Sequence, residues 1–191
     1  MTEITDKSSK LPPAVEAFLL SWGDMGGQWG VNRSIGQIHA LLYLSERPMT
    51  AEEIADDLAM ARSNVSNSLK ELLAWNLIRR VPVRQDRRDH YEAETDVWEI
   101  AARIAARRKE REIDPAIVAL RRCSSEADAD PEVSPEARRR LKAMLDFTVA
   151  LDRWYGQMLS LPKGKRDLLL RLGAKVASFL PGDKSSAKTK D

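Results

Sequence analysis

The fold is decided by residues 50–76, which read TAEEIADDLAMARSNVSNSLKELLAWN. Thr50 and Glu53 form the pattern of a capping box, which predicts the start of a short helix. Only residues 59–61 separate that helix from a second helical pattern, whose inner face has apolar residues at helical spacing: Val65, Leu69, Leu72 and Leu73. Two helices joined by so tight a turn predict a helix-turn-helix.

The segment before this pair predicts two more helices. Pro12 and Pro13 open an amphipathic stretch. A group of glycines predicts that it breaks into a loop lasting to about Arg33: Gly23, Gly26, Gly27 and Gly30. Ser34 and Gln37 have capping-box spacing, so the next helix is expected to begin there.

The segment after the pair predicts a β-hairpin. Residues 77–83 and 90–94 are extended segments on either side of the polar run 84–89. Pro82 has no N–H to donate, so its strand is expected at an edge. Three helices followed by a hairpin predict a mainly α protein: a winged helix-turn-helix with a two-stranded β-hairpin wing and additional N- and C-terminal dimerisation helices.

The remainder of the chain predicts helices. They are a helix capped by Asp96, a short helix from Asp114, a long helix at 134–161 and a last helix at 166–180, with an acidic linker at 124–133. The predicted domain organisation is a flexible N-terminus (1–10), an N-terminal helix and loop of the dimerisation region (11–33), a DNA-binding domain (34–95), a helical dimerisation and effector region (96–182) and a disordered tail (183–191).

The outer face of the second helix of the pair has the composition of a DNA-reading surface. Ser and Asn are poor helix formers, yet they fill four of the five positions 63–67. Short polar side chains approach base edges closely, and longer basic ones reach guanine or phosphate. The predicted contacts of this helix-turn-helix are Thr50, Arg62, Ser63, Asn64, Ser66, Asn67 and Lys70.

Basic charge is concentrated around this helix and the hairpin. Residues 62–90 contain seven Lys or Arg and three Asp or Glu, whereas residues 1–61 contain four and nine. Arg84, Arg87 and Arg88 lie at or beside the predicted tip of the wing, where arginines enter the minor groove or bind its phosphates. The partner predicted from both elements is double-stranded DNA.

Several motifs together resemble the GbsR-type branch of the MarR-like winged-helix regulators. They are residues 30–44 (GVNRSIGQIHALLYL), Ser63-Asn-Val-Ser66, Leu69-Lys-Glu-Leu72 and residues 87–94 (RRDHYEAE). The resemblance implies a dimeric repressor, and one relative controls choline-to-glycine-betaine genes. By the same match Arg33 is a phosphate contact. Asn32 departs from the family, which often has proline there.

A homodimer is predicted because palindromic operators require two-fold proteins. Apolar residues recur every seven positions along the helix at 134–161, and the first and last helices have apolar stripes as well. The predicted dimer contacts are Phe18, Leu141, Met144, Leu145, Thr148, Leu151, Tyr155, Met158, Leu172 and Val176. An ordinary core helix within one chain is the alternative for this pattern.

Aromatic residues outside the helix-turn-helix suggest an effector site. Aromatic faces bind quaternary ammonium groups by cation–π attraction, which would suit choline or glycine betaine. The residues are Trp22, Trp29, Trp98, Trp154 and Tyr155. Ordinary core packing is the alternative reading of the same residues.

Other classes of function have weaker signals. No metal-ligand spacing, catalytic constellation or cofactor-binding loop is present, so neither an enzyme nor a cofactor is predicted. Cys123 is the single cysteine, which fits a cytoplasmic protein, and it has no partner for a redox switch. No signal peptide or membrane span is predicted. The alternatives left open are a winged-helix module for protein interaction within a larger complex and an RNA-binding winged helix.

Overall fold

The fold is described by a computed structural model, which covers residues 11–28, 30–173 and 175. Its elements in chain order are α1 (Pro13–Gln28), α2 (Arg33–Leu44), β1 (Met49–Thr50), α3 (Ala51–Asp57), α4 (Arg62–Ala74), β2 (Ile78–Val83), β3 (Asp86–Ala93), α5 (Val97–Arg108), a π-helical turn (Lys109–Ile113), α6 (Asp114–Ala129), α7 (Pro135–Ser160) and α8 (Lys163–Leu172). The mainly helical winged helix-turn-helix is confirmed.

The chain divides into two compact units, 1–107 and 108–191. The first unit contains one apolar core, which α1, α2, α3, α4, the sheet and α5 all enter. Its most completely buried side chains include Ile38, Ile54, Val65 and Leu72, each with no exposed surface. The second unit contains α6, α7 and α8.

The sheet of the wing has three antiparallel strands in the order β1-β3-β2. The hairpin was predicted, whereas the two-residue strand β1 was not. The turn is tighter than expected, because only Arg84 and Gln85 separate the strands and Arg87 and Arg88 already lie in β3. Strand β2 is at an edge, as Pro82 required, and the register shifts between Val81 and Val83.

The expected loop after residue 22 is wrong, because α1 continues through its glycines to Gln28. Gly23 of α1 meets Gly36 of α2, and a Cβ on Gly36 would lie 2.9 Å from the Gly23 Cα and 3.1 Å from the Trp22 carbonyl oxygen. These glycines therefore allow two helices to pack closely instead of ending the first one.

Three other boundaries also differ from the prediction. Helix α2 is capped by Asn32, whose Oδ1 accepts a hydrogen bond of 2.9 Å from the Ser34 N–H, so Ser34 is not the cap. Residues 124–129 of the predicted acidic linker form the last turns of α6. Helix α8 begins at Lys163 and ends at Leu172 before Gly173, which has φ +48°. The predicted end near residue 180 and the two terminal segments, 1–10 and 183–191, lie outside the described residues.

Candidate nucleic-acid interface

The recognition helix α4 has the two faces that its sequence predicts. Val65, Leu69 and Leu72 are buried in the core. Five of the predicted DNA contacts are exposed on the opposite side: Arg62, Ser63, Ser66, Asn67 and Lys70. The buried face fixes the orientation of the helix, so these five side chains form one continuous polar surface, called here the reading face.

Asn64 is placed differently from the residues of the reading face. It is half-buried, and its Nδ2 donates a hydrogen bond of 2.9 Å to the Ser34 Oγ on α2. The amide therefore connects the first turn of α4 to α2, thirty residues earlier in the chain. This contact is a structural role that sequence spacing could not indicate.

Thr50 also has a structural role, because it caps the start of α3. It is buried, and its hydroxyl accepts from the Glu53 N–H at 3.2 Å while the Glu53 carboxylate accepts from the Thr50 N–H at 2.7 Å. The predicted capping box is confirmed. The backbone hydrogen bond from Thr50, with Arg47 close by, lowers the pKa of Glu53 to about 2. We therefore assign Thr50 to the start of α3 and not to the DNA surface.

The first turn of α4 has no side-chain cap. Its N-cap residue, Ala61, has no polar side chain, and no cap hydrogen bond is made there. The first amides of a helix carry partial positive charge and are favourable partners for phosphate. The uncapped end lies beside Arg62 and Ser63, so it belongs to the same surface as the reading face.

The arginines of the wing differ in whether a carboxylate holds the guanidinium group. Arg84 and Arg87 are exposed, and within the described part of the chain their guanidinium groups form no ion pair. Arg88 is held by Asp86, whose Oδ1 accepts from both the backbone N–H and the Nε of Arg88 at 3.0 Å. These bonds lower the pKa of Asp86 and raise that of Arg88. Two arginines are thus free for phosphate, and one is oriented by a carboxylate.

Arg33 lies at the first position of α2, as expected. Its Nε is 2.9 Å from the Asp24 Oδ1 of α1, and both side chains are about half exposed. An exposed pair of this kind contributes little stability, so it competes weakly with a phosphate. Arg33 remains a candidate phosphate contact.

The predicted effector residues are divided between the two units and the part of the chain that is not described. Trp22 lines a cavity of about 200 Å³ in the first unit, together with residues that the sequence analysis did not assign to a ligand. Trp98 is half-buried and does not line this cavity, whereas Trp154 and Tyr155 belong to the second unit. Trp29 lies outside the described residues. The cavity is lined by Phe18, Trp22, His39, Ala40, Tyr43, Val97 and Ile100.

An aromatic row forms one side of this cavity. Ring centroids are 5.6 Å apart for Phe18 and Trp22, 6.4 Å for Trp22 and His39, and 6.5 Å for His39 and Tyr43. Burial lowers the pKa of His39 to about 4, and its Nε2 forms no hydrogen bond with any described residue. The i,i+4 spacing of Phe18 with Trp22 and of His39 with Tyr43 was the available signal for this row.

The predicted dimer residues on α7 divide between two faces. Leu141, Leu145, Thr148, Tyr155 and Met158 are half-buried within the second unit. Four other side chains are exposed by 41–66%: Met144, Phe147, Leu151 and Trp154. Phe147 and Trp154 were not among the predicted contacts. Phe18 packs against the core of the first unit, Leu172 is half-buried, and Val176 lies outside the described residues.

Two general absences hold for the described residues. No group of three or more His, Cys, Asp or Glu side chains is placed to hold a metal ion. None of the helices in this part of the chain is both long enough and apolar enough to cross a membrane.

Fold and surface together define a winged helix-turn-helix with a polar reading face, and comparisons with known proteins agree. Residues 29–89 match the MarR family model. The resemblance seen in the sequence is thus confirmed at the level of the family. A solved crystal structure of a transcriptional regulator has the same fold at 23% identity, with a TM-score of 0.52, covering 77% of this chain and 96% of that one.

Two curated relatives come from Bacillus subtilis (strain 168). YvaV, named only provisionally as an HTH-type transcriptional regulator, is 22% identical over 119 residues, or 61% of this chain and 67% of the relative. The HTH-type transcriptional repressor GbsR is 26% identical over 102 residues, or 53% of this chain and 54% of the relative. The matched regions thus span about two thirds and about half of these relatives.

Proposed function

We propose that this protein is a sequence-specific, double-stranded DNA-binding transcriptional regulator that acts as a homodimeric repressor in the cytoplasm. The observation that carries the proposal is the exposed reading face of α4 in the same compact unit as Arg84 and Arg87 of the wing, which are exposed and form no ion pair with any described residue. A recognition helix reads base edges in the major groove while a wing contacts the adjacent backbone or minor groove. The curated relatives are named as transcriptional regulators and not as enzymes, which supports the same class.

The polar reading face also distinguishes this proposal from a protein-interaction module. A helix used for protein contact presents apolar anchors at the centre of its outer face. Here that position is occupied by Ser63, Ser66 and Asn67, which are exposed. A charged and polar helix beside basic side chains is better suited to a nucleic acid.

A homodimer is supported by the exposed apolar face of α7. Met144, Phe147, Leu151 and Trp154 follow one another at helical spacing and leave an apolar stripe without a partner in the described chain. Exposed apolar surface of this extent is typical of an interface. A second copy is the partner that a palindromic operator requires, because each half-site is read by one recognition helix.

The proposal is tested by binding to a duplex from the upstream region of the protein's own gene, against a scrambled duplex, at several salt concentrations. We expect a Kd of about 10⁻⁸ M or tighter for the specific duplex, and a loss of about 10- to 100-fold with Asn67→Ala. Arg87→Ala should weaken binding to both duplexes, because phosphate contacts carry no sequence information. Light scattering of the complex should show two 21.5 kDa chains per duplex.

Asn64→Ala is the matched control for this experiment. It removes an amide that is bonded to Ser34, so we expect it to lower the free energy of unfolding by about 1 kcal/mol and to affect DNA affinity less than Asn67→Ala does. Equal, weak binding of both duplexes by the unmodified protein would contradict sequence-specific recognition. Complete lack of DNA binding at low salt would favour the protein-interaction module.

We further propose that a small quaternary ammonium compound such as choline or glycine betaine binds the aromatic row formed by Phe18, Trp22, His39 and Tyr43. Trp, Tyr and Phe faces attract such cations. His39 is neutral at pH 7 because burial lowers its pKa to about 4, so it does not repel a cation. Its unpartnered Nε2 is available for a hydroxyl or carboxylate of the ligand.

Titration with choline or glycine betaine should produce a saturable change of tryptophan fluorescence. We expect Trp22→Phe to remove most of this signal, because Trp22 lines the cavity. Trp154→Phe should retain it, since Trp154 is exposed in the second unit. A flat titration with the unmodified protein would exclude both compounds as effectors, and a signal lost only with Trp154→Phe would place the site elsewhere.

A further inference from the structure

One carboxylate on α3 contacts both DNA-binding elements. The Glu52 Oε1 is 3.1 Å from the Arg62 Nη1, at the start of the recognition helix. The Glu52 Oε2 is 3.4 Å from the Arg88 Nη1, in the wing. The side chains of all three residues are 48–77% exposed. Glu52 is therefore the bridge between an arginine of the helix and an arginine of the wing, and we call these three residues the Glu52 bridge.

The wing side of the Glu52 bridge is itself constrained. Asp86 holds the Arg88 guanidinium from the other side, through its Oδ1 and Oδ2 at 3.0 Å from the Arg88 Nε. His90, which is buried, has its Nδ1 2.9 Å from the Arg88 carbonyl oxygen and its Nε2 3.4 Å from the Asp86 Oδ2. Arg88 is consequently fixed in position on strand β3. Because Glu52 contacts both Arg88 and Arg62, it connects this fixed side chain to the start of α4.

The helix side of the Glu52 bridge lies at the point where α4 begins without a side-chain cap. Arg62 is its first residue and the most exposed member of the bridge. The neighbouring Glu53 is occupied by the capping box and by Arg47, 2.8 Å away, so Glu52 is the carboxylate of this turn that remains for Arg62. The position of Glu52 on α3 therefore determines the position of the Arg62 guanidinium.

We propose that Glu52 is a positioning residue for DNA recognition, which sets the spacing between Arg62 and Arg88 and competes with phosphates for both. This inference rests on the proposed function of the protein as a DNA-binding regulator. A carboxylate accepts hydrogen bonds but repels phosphate, so each arginine must exchange Glu52 for DNA when the protein binds. The exchange is favourable where the groove presents phosphates or guanines to both arginines at once, and unfavourable where it presents them to neither.

The consequence concerns selectivity more than stability. Exposed ion pairs contribute little to folding, so variants of Glu52 should remain folded. Non-specific binding depends on the number of phosphates that basic side chains neutralise. At random DNA, Glu52 offsets part of the positive charge of Arg62 and Arg88, whereas at a matching site both arginines exchange Glu52 for DNA. Glu52 therefore increases the difference in affinity between a matching site and any other site.

The experiment compares Glu52→Gln, Glu52→Asp and Asp56→Asn with the unmodified protein on a specific and a scrambled duplex, over a range of salt concentrations. Asp56 is the matched control, because it is an exposed carboxylate of the same helix that makes no ion pair within the described residues. Asp56→Asn removes the same charge as Glu52→Gln. Glu52→Asp keeps the charge but shortens the side chain by one methylene, so it cannot span both arginines.

Relative to Asp56→Asn, Glu52→Gln should raise affinity for scrambled duplex about three- to tenfold at low salt, with a steeper salt dependence, because Arg62 is released and Arg88 loses one of its two carboxylate partners. The ratio of specific to non-specific affinity should fall by about the same factor. Glu52→Asp should lower that ratio as well, but it should not raise the affinity for scrambled duplex. Equal behaviour of Glu52→Gln and Asp56→Asn, or an unchanged ratio for Glu52→Asp, would overturn the inference while specific binding by the unmodified protein kept the proposed function intact. Failure of the unmodified protein to prefer its duplex would reject the proposed function first.

Discussion

Gly36→Ala is expected to lower the free energy of unfolding by about 2 kcal/mol, because a methyl group at this position has no room. Its Cβ would lie 2.9 Å from the Gly23 Cα, a backbone atom that cannot rotate away. Helices α1 and α2 would have to separate, and buried contacts of Leu19 and Ile35 would be loosened. The strain outweighs the gain of up to about 1 kcal/mol that alanine normally brings to a helix interior.

Urea denaturation followed by circular dichroism measures this effect. Gly27→Ala in α1 is the control, because a Cβ there meets no atom within 4 Å. That variant should be stabilised by about 0.5–1 kcal/mol, since alanine restricts the unfolded chain and favours the helix. The two substitutions are chemically identical, but they should change the free energy of unfolding in opposite directions. If Gly36→Ala were as stable as Gly27→Ala, the close approach of the two helices would not contribute to the fold.

Acidification from pH 6.5 to pH 4 is expected to reduce stability by about 3 kcal/mol through His39 alone, at 1.36 kcal/mol per unit of pKa difference. Desolvation lowers the pKa of this imidazole from 6.5 to about 4 in the folded protein. Below pH 6.5 the unfolded chain therefore binds a proton that the folded chain excludes. The contribution is fully present above pH 6.5 and is lost as the pH falls toward 4.

Denaturation curves at half-unit steps of pH measure this dependence, and His39→Leu is the comparison. Leucine occupies a similar apolar volume and cannot be protonated, so its stability should change little between pH 6.5 and 4.5. Below that range carboxylates with lowered pKa values, such as Glu53 at about 2, add a loss of their own in both proteins. If the free energy of unfolding of His39→Leu still fell between pH 6.5 and 4.5, the pH dependence would belong to another group.

The parts of the fold that could be predicted from the sequence depend on residues close together in the chain. The capping box of Thr50 and Glu53 spans one helical turn, and the inner face of α4 follows from the spacing of Val65, Leu69 and Leu72. The hairpin follows from two extended segments around a polar turn. In each case the physical cause lies within a few residues of the chain, so the sequence pattern is sufficient to predict the element.

The parts that could not be predicted depend on contacts between distant residues. Glycine normally disfavours a helix interior, yet Gly23 is kept in α1 by its packing against Gly36. The acidic segment after residue 124 is helical and buries Ala127, whose carbonyl oxygen accepts from the Arg138 Nε on α7 at 2.9 Å. Tertiary packing overrides local propensity at both places.

The candidate site shows the same division. The exposure of Arg62, Ser66 and Asn67 follows from the helical period. The engagement of Asn64 with Ser34 and of Glu52 with two arginines requires elements to meet in three dimensions. Asn32 is instructive in another way, because the residue that departs from the family pattern is the one that caps α2. Asparagine supplies a side-chain acceptor there that proline lacks.

The placement of Pro82 on the outer edge of the wing has a consequence for how the protein behaves when many copies are close together. An edge strand with free N–H and C=O groups is a template on which a strand of another molecule can add, and such addition leads to aggregates. Pro82 removes one donor from β2, and the nearby shift in register interrupts the ladder. Arg79 and Arg80 add exposed charged side chains along the same strand, paired with Glu92 and Asp89 of β3. The wing can therefore project toward a partner molecule with an outer strand, β2, that is poorly suited to the growth of intermolecular sheets.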